Sequence, residues 1–128
     1  MPSIYTSTVM NKWDEDQTIE DTPRVTPAHA IFDLPEVKGK TATELIMSHL
    51  PDGNAAYVYA ETITAEDFDG KKGSFIVQGS GIWDGKEHKA TGTFEVVEGS
   101  GTGELKGIKG KGFSENTPKH GYRFEVTF

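Results

Sequence analysis

The 128-residue chain contains no cysteine, and it has few basic residues relative to acidic ones. The absence of cysteine excludes disulfide bonds, thiolate catalysis and zinc sites with cysteine ligands. Its 13 lysines and arginines against 20 aspartates and glutamates give a formal net charge of −7. Because binding to phosphates requires clustered basic side chains that displace counterions, this charge argues against a nucleic-acid partner.

A long apolar segment is also missing. The sequence has no run of about 18 apolar residues, and residues 1–17 do not combine a basic segment with an apolar one. We therefore expect no membrane partner and a cytoplasmic location. The length corresponds to a single domain, residues 1–128, which can bury a hydrophobic core without disulfides or metals.

Glycine is abundant, and three Asp-Gly pairs organise the centre of the chain. They occur at residues 52–53, 69–70 and 84–85, separated by 15 to 17 residues. Asp-Gly supplies the positive φ angles that tight hairpins need. This spacing predicts four long strands in a β-meander across residues 41–98.

Alternating apolar and polar residues predict further strands on both sides of the meander. They lie at residues 4–13 and 28–34 before it, and at about 108–114 and 121–128 after it. Residues 14–27, which are rich in acidic residues, are predicted to form an exposed acidic loop. Eight neighbouring antiparallel strands usually close on themselves, because closure removes exposed edges. We therefore predict an all-β fold, a small eight-stranded antiparallel up-and-down β-barrel.

Residues 41–50 admit a helical interpretation, since Thr41 and Glu44 can form a capping box. Two observations favour a strand. The segment is confined between Gly39 and Pro51. It also leads directly into a turn and another β-rich run, as a hairpin would.

Three segments carry a resemblance to a known family: ELIMSHLPDGNAAYVYAETIT, DGKKGSFIVQGSG and GTFEVVEGSGTGELKGIKGKG. They resemble an uncharacterised bacterial family, a domain of unknown function whose members are similar in fold to the allene oxide cyclase barrel. The resemblance covers roughly residues 39–113 and implies a small, calycin-like barrel of eight strands. It implies no established activity, and no match transfers the catalytic residues of the plant cyclase to this chain.

Two-residue turns would divide the meander into two faces. One face carries mainly apolar residues and glycines: Leu45, Met47, Val58, Ala60, Phe75, Val77, Gly79, Gly81, Ala90, Gly92, Phe94 and Val96. The other carries Glu44, Ile46, Tyr57, Tyr59, Glu61, Ile76, Gln78, Ser80, Lys89, Thr91 and Thr93. On hydrophobicity we expect the first face inside, with its glycines leaving room for a ligand.

The opposite assignment stays open. With the second face inside, a row across the four strands would consist of Glu44, Glu61, Gln78 and Thr91, flanked by Tyr57 and Tyr59. Two carboxyls opposite each other repel, so one would keep its proton and act as an acid while the other acts as a base.

The pairing at the first Asp-Gly turn is also open. A three-residue loop at 51–53 with Gly53 in a bulge would move Glu44 to the opposite face. Glu61 and Gln78 are joined through the turn at 69–70, so they are the stronger candidates.

The histidines and one tryptophan give weaker signals. The four histidines, His29, His49, His88 and His120, are far apart in the sequence. We expect them to be structural or exposed, and we expect no metal site. Trp13, which precedes three acidic residues, is expected in the core or as a cap over one barrel end.

Together these patterns favour a protein that binds an apolar or amphipathic small molecule inside the barrel, without a cofactor. The candidate ligand-binding residues are Glu44, Tyr57, Tyr59, Glu61 and Gln78. Two alternatives stay open: a structural module with a filled barrel that self-associates, and an acid–base isomerase or cyclase with Glu61 and Glu44 as catalytic candidates. An apolar or aromatic second face makes a homodimer or trimer the expected assembly.

Overall fold

The structure is a computed structural model that describes residues 3–116 and 119–128. Within them the chain forms one antiparallel sheet of nine strands, which confirms the all-β prediction. The strands are β1 (Ser3–Ser7), β2 (Val9–Glu15), β3 (Arg24–Leu34), β4 (Gly39–His49), β5 (Ala55–Phe68), β6 (Lys71–Asp84), β7 (Lys89–Val96), β8 (Lys109–Glu115) and β9 (Gly121–Thr127). Two 3-10 helices span Pro35–Val37 and Gly103–Leu105. No helix among the described residues is long and apolar enough to cross a membrane.

The two edges of the sheet are formed by β1 and β2, although Thr8 alone separates them in the chain. β1 pairs with β9, and β2 pairs with β3. Because one continuous segment borders both edges, the sheet curls until its edges approach, and its shape is barrel-like. The prediction of eight strands is not confirmed, since residues 4–13 are divided at Thr8 into two strands.

The acidic connection is shorter than residues 14–27. Residues 14–15 belong to β2 and residues 24–27 belong to β3. The exposed loop therefore spans residues 16–23. Glu15, at the end of β2, is only partly exposed and forms hydrogen bonds with Thr26 and His49.

The segment with the helical alternative is strand β4. Its side chains alternate regularly, so that Thr41, Thr43, Leu45 and Met47 are buried while the residues between them are exposed or half-buried. This period of two is the pattern of a strand with one face toward a core. The prediction of a strand at residues 41–50 is confirmed.

The three Asp-Gly pairs lie in three different connections. Asp69 and Gly70 have φ angles of 54° and 79°, as the predicted two-residue turn requires. A β-bulge between Ala65 and Phe68 then shifts the pairing of β5 with β6. The other two connections are longer than predicted, since residues 50–54 join β4 to β5 and residues 85–88 join β6 to β7.

These irregularities reverse the predicted orientation of β5. The loop at 50–54 and the bulge each change the pairing of β5 by one residue. A change of one residue turns every side chain of a strand to the other face. Val58 and Ala60 therefore face outward and Glu61 inward, whereas the predicted inner residues of β4, β6 and β7 do lie inside.

The interior is filled toward the turn at 69–70 and left partly open toward the opposite end. The filled half is packed around four phenylalanines, Phe68, Phe75, Phe94 and Phe124, whose rings meet edge to face. The other half holds a second buried cluster, against which four aromatic side chains pack: Ala28, Ala30, Leu45, Met47 and Ala55, with Phe32, Tyr57, Tyr59 and Trp83.

Candidate functional site

A cavity of about 550 Å³ lies at the end of the sheet that carries the connections 50–54 and 85–88. Its walls are largely aromatic, with six rings contributed by Trp13, Phe32, Tyr57, Tyr59, Trp83 and Tyr122. A cavity of this size with an apolar lining and few polar groups is typical of small-molecule sites in proteins. The interior at this end therefore has the size and chemistry to hold a ligand.

The glycines that face the interior do not create this space. A Cβ on Gly81 would lie 2.5 Å from Tyr57 Oη, and a Cβ on Gly79 would lie 2.7 Å from Phe94 Cβ. Both glycines are thus already covered. The expectation that interior glycines leave room for a ligand was wrong at these two positions, because Gly81 is covered by Tyr57 and Gly79 by the neighbouring strand at Thr93 and Phe94.

Glu61 lies behind the cavity wall and is only 2% exposed. Its Oε2 accepts a hydrogen bond from Thr43 Oγ1 at 2.8 Å and a long one from Tyr122 Oη at 3.5 Å. Thr43 and Tyr122 themselves line the cavity. Among the described residues, none donates to Glu61 Oε1. One side chain therefore separates this carboxyl from the cavity.

Burial raises the pKa of Glu61 to about 7, because a charged carboxylate loses its hydration in the interior. Hydrogen bonds from Tyr122, Thr43 and Thr41 oppose this rise in pKa but are smaller than the effect of burial. Near neutral pH the carboxyl is therefore divided between its protonated and ionised forms.

The tyrosines around Glu61 stay neutral. Burial raises the pKa of Tyr57, Tyr59 and Tyr122, and the charge on Glu61 raises each of them further. The rings of Tyr57 and Tyr59 lie side by side with centroids 5.9 Å apart. They present aromatic surface to the cavity without adding charge.

A second carboxyl, Glu15, lines the cavity at the end of β2. His49 Nε2 and Thr26 Oγ1 both donate to its Oε2 at 2.5 Å, and Trp13 Nε1 donates to its Oε1 at 3.2 Å. Burial raises the pKa of Glu15, but these hydrogen bonds together lower it below its usual value. Glu15 is therefore ionised at neutral pH.

Three of the four histidines, His49, His88 and His120, line the same cavity. His120 contacts the Thr8 hydroxyl, and burial lowers its pKa. Although they are far apart in the sequence, all three lie near strand ends at the same end of the sheet. Among the described residues no group of three or more acidic or histidine side chains is placed to hold a metal ion.

The predicted site residues are only partly brought together. Tyr57 and Tyr59 line the cavity, and Glu61 lies directly behind it. Glu44 and Gln78 are exposed on the outer face, where Glu44 contacts His29. The hypothesis of a carboxyl row was therefore wrong about the geometry, since the reversed β5 places Glu61 on the opposite face from the other two. A ligand-binding role for Glu44 and Gln78 stays a prediction.

The sequence did not indicate several cavity residues, among them Glu15, Phe32, His49 and Trp83. Trp13 was expected in the core or over a barrel end, and it lies half in solvent at the cavity wall. Glu15 and Trp13 reach the cavity because β2 pairs with β3 at the sheet edge. For the three cavity histidines the sequence did contain an indication of their common location, since each lies in or next to a connection between strands at the same end of the sheet.

Comparisons with known proteins agree with this architecture. Residues 6–126 match the protein family described as "Protein of unknown function (DUF3224)". The chain is similar to the crystal structure of a DUF3224 family protein with unknown function from Shewanella oneidensis MR-1, with a TM-score of 0.76 and 23% sequence identity over 100% of this chain and 98% of that chain. No curated protein matches the chain. The predicted resemblance to a family of unknown function is confirmed, whereas these findings do not extend to the allene oxide cyclase barrel.

Proposed function

The chain belongs to the DUF3224 family of proteins of unknown function, and on this premise we propose that it binds an apolar or amphipathic small molecule in the cavity of its barrel-like sheet. The observation that carries the proposal is the cavity of about 550 Å³ with its six aromatic rings. A ligand in this space removes apolar surface of both partners from water, which favours binding. Glu15 and His49 supply a polar region for the polar end of an amphipathic ligand.

Binding to the cavity is testable with a neutral fluorescent probe such as N-phenyl-1-naphthylamine. Leu45→Trp places a larger side chain on the cavity wall, so we expect it to weaken probe binding at least tenfold. Thr64→Trp introduces the same side chain at an exposed position on the neighbouring strand β5 and serves as the control. Equal binding by wild type and both variants, or no binding and no co-purified molecule in native mass spectrometry, would contradict the proposal.

Self-association is a second candidate function, favoured by an apolar patch on the outer face. The patch consists of Val25, Ile46, Val58 and Ile82, which are 58%, 46%, 54% and 50% exposed. Ile46 lies directly opposite Val58 on the neighbouring strand. Contiguous exposed apolar surface is typical of protein interaction sites. We propose that a second copy of the chain covers this patch in a homodimer.

Sedimentation equilibrium tests this assembly. Val58→Lys places a charge in the centre of the patch and is expected to shift the protein to monomer. Thr64→Lys adds the same charge to the same strand outside the patch and is expected to leave the assembly unchanged. A wild-type monomer at high concentration would contradict self-association through this face.

Proton transfer catalysis in the cavity is the remaining candidate, and Glu61 is the observation that favours it. A carboxyl with a pKa of about 7 can both accept and donate a proton at neutral pH. We would test it with an apolar ketone that binds in the cavity, following exchange of its α-protons in D₂O by proton NMR. Exchange that is as fast with Glu61→Gln as with wild type would eliminate Glu61 as the base.

Two further proposals concern closure of the sheet and cellular location. We propose that β1 and β2 act as one strand, so that the sheet closes as an eight-stranded barrel like that of allene oxide cyclase. Fast amide hydrogen exchange throughout β1 would contradict closure. A cytoplasmic location also stays a proposal, and cell fractionation tests it.

A further inference from the structure

Among the residues that line the cavity, the fixed charge is negative; Arg24, which pairs with His49 at the start of β3, is not part of the lining. No lysine or arginine is among the described residues that line the cavity. Glu15 lines it as an ionised carboxylate, and Glu61 lies one side chain behind the wall. The formal net charge of the whole chain is −7, which adds a field of the same sign.

The three histidines that line the cavity do not make it positive. His49 donates to Glu15, so the pair is negative when His49 is neutral and uncharged when it is protonated. Burial lowers the pKa of His120, which keeps this ring neutral at neutral pH. His88 lies exposed in the loop 85–88, where solvent screens any charge that it carries. An anionic ligand would thus find no buried positive partner among these residues.

The aromatic lining also favours a positively charged ligand. The face of a tryptophan or tyrosine ring carries partial negative charge and attracts cations, including quaternary ammonium groups. Trp13, Trp83, Tyr57 and Tyr59 all contribute to the wall, and the last two stand side by side with centroids 5.9 Å apart. Rings and carboxylates therefore act together on a positive charge.

From this arrangement, and resting on the proposed function, we infer that the ligand is an organic cation, an apolar body that carries an amine or quaternary ammonium group. The apolar body contacts the aliphatic and aromatic wall, and the cationic group lies among the rings near Glu15. Glu61 supports the inference independently. Its Oε1 has no donor among the described residues, and a nearby cation would compensate its charge in the ionised form.

Three probes with the same phenylbutyl body test the inference at pH 8 and low salt. They are 4-phenylbutyltrimethylammonium, the neutral hydrocarbon that ends in a tert-butyl group instead, and the anion 5-phenylpentanoate. Quenching of tryptophan fluorescence reports binding, since Trp13 and Trp83 both line the cavity. We expect the cation to bind about tenfold more tightly than the neutral probe, and the anion to bind most weakly.

Glu15→Gln is expected to lower the ratio of the affinity for the cationic probe to that for the neutral probe about fivefold. Glu15→Asp keeps the charge and is expected to keep most of this preference for the cation. Glu95→Gln, on the exposed outer face of β7, is the control and is expected to leave the ratio unchanged. If the neutral or anionic probe binds as tightly as the cation, the inference is wrong while small-molecule binding stands. If neither these probes nor N-phenyl-1-naphthylamine binds, the proposed function fails and the inference fails with it.

Discussion

Replacing Glu61 with glutamine is expected to remove a pH dependence of stability that this buried carboxyl causes. The pKa of Glu61 is about 7 in the folded protein, against an ordinary value of 4.5. Between these two values the folded state holds a proton that the unfolded state has released. Rising pH therefore favours unfolding. The contribution of the protonated carboxyl to the free energy of unfolding is fully present below pH 4.5 and is lost as pH rises through about 7.

The size of the effect follows from the two pKa values. Their difference corresponds to a loss of about 3 kcal/mol in the free energy of unfolding, of which about 2 to 3 kcal/mol falls between pH 5 and pH 8. Glutamine at position 61 has the same shape but does not ionise. Relative to wild type, Glu61→Gln should thus gain about 2 to 3 kcal/mol between pH 5 and pH 8.

Urea unfolding followed by tryptophan fluorescence measures this difference at both pH values. Glu95→Gln makes the same chemical change on an exposed carboxyl and controls for general charge effects. Comparing each variant with wild type at the same pH removes the titration of all other groups. A stability difference between Glu61→Gln and wild type that is the same at pH 5 and pH 8 would refute the argument that burial keeps this carboxyl protonated.

Three further predictions follow from the interior. Gly81→Ala is expected to lower the free energy of unfolding, measured with urea, by about 1 to 3 kcal/mol, because its Cβ would lie 2.5 Å from Tyr57 Oη. Unchanged stability would show that the Tyr57 ring moves freely. Phe68→Ala, in the filled half of the interior, is expected to lower the free energy of unfolding by about 3 to 5 kcal/mol in the same assay. A decrease below about 1 kcal/mol would contradict tight packing around Phe68. Affinity for the ammonium probe is expected to rise from pH 6 to pH 8 as Glu61 ionises. Fluorescence titration of Glu61→Gln should show a smaller rise, and an identical rise would exclude a contribution from Glu61.

Much of the local structure could be predicted from the sequence. The alternation of Thr41, Thr43, Leu45 and Met47 with exposed residues predicts strand β4, and the structure contains it. The Asp-Gly pair at 69–70 forms the predicted turn with two positive φ angles. Both features depend on neighbouring residues alone, so a local pattern is sufficient to find them.

The candidate site was only partly predictable, because it depends on pairings that accumulate along the sheet. A bulge between Ala65 and Phe68 moves Glu61 from the predicted outer face to the inner one. Nothing in the Asp-Gly signal at 69–70 reveals that bulge. Glu61 therefore lies next to the cavity, on the face opposite to the one preferred from the sequence, while Glu44 lies outside.

By itself the sequence determined the strands, their approximate ends and the alternation of buried and exposed side chains, since these follow from the residue-by-residue preferences of the backbone. Tertiary structure alone decided the cavity. Pairing of β2 with β3 brings Trp13 and Glu15 to the same space as His49 and Trp83, and curling of the sheet brings Tyr122 there from near the opposite edge. These residues are distant in the chain, and no local pattern encodes the pairing and curling that unite them.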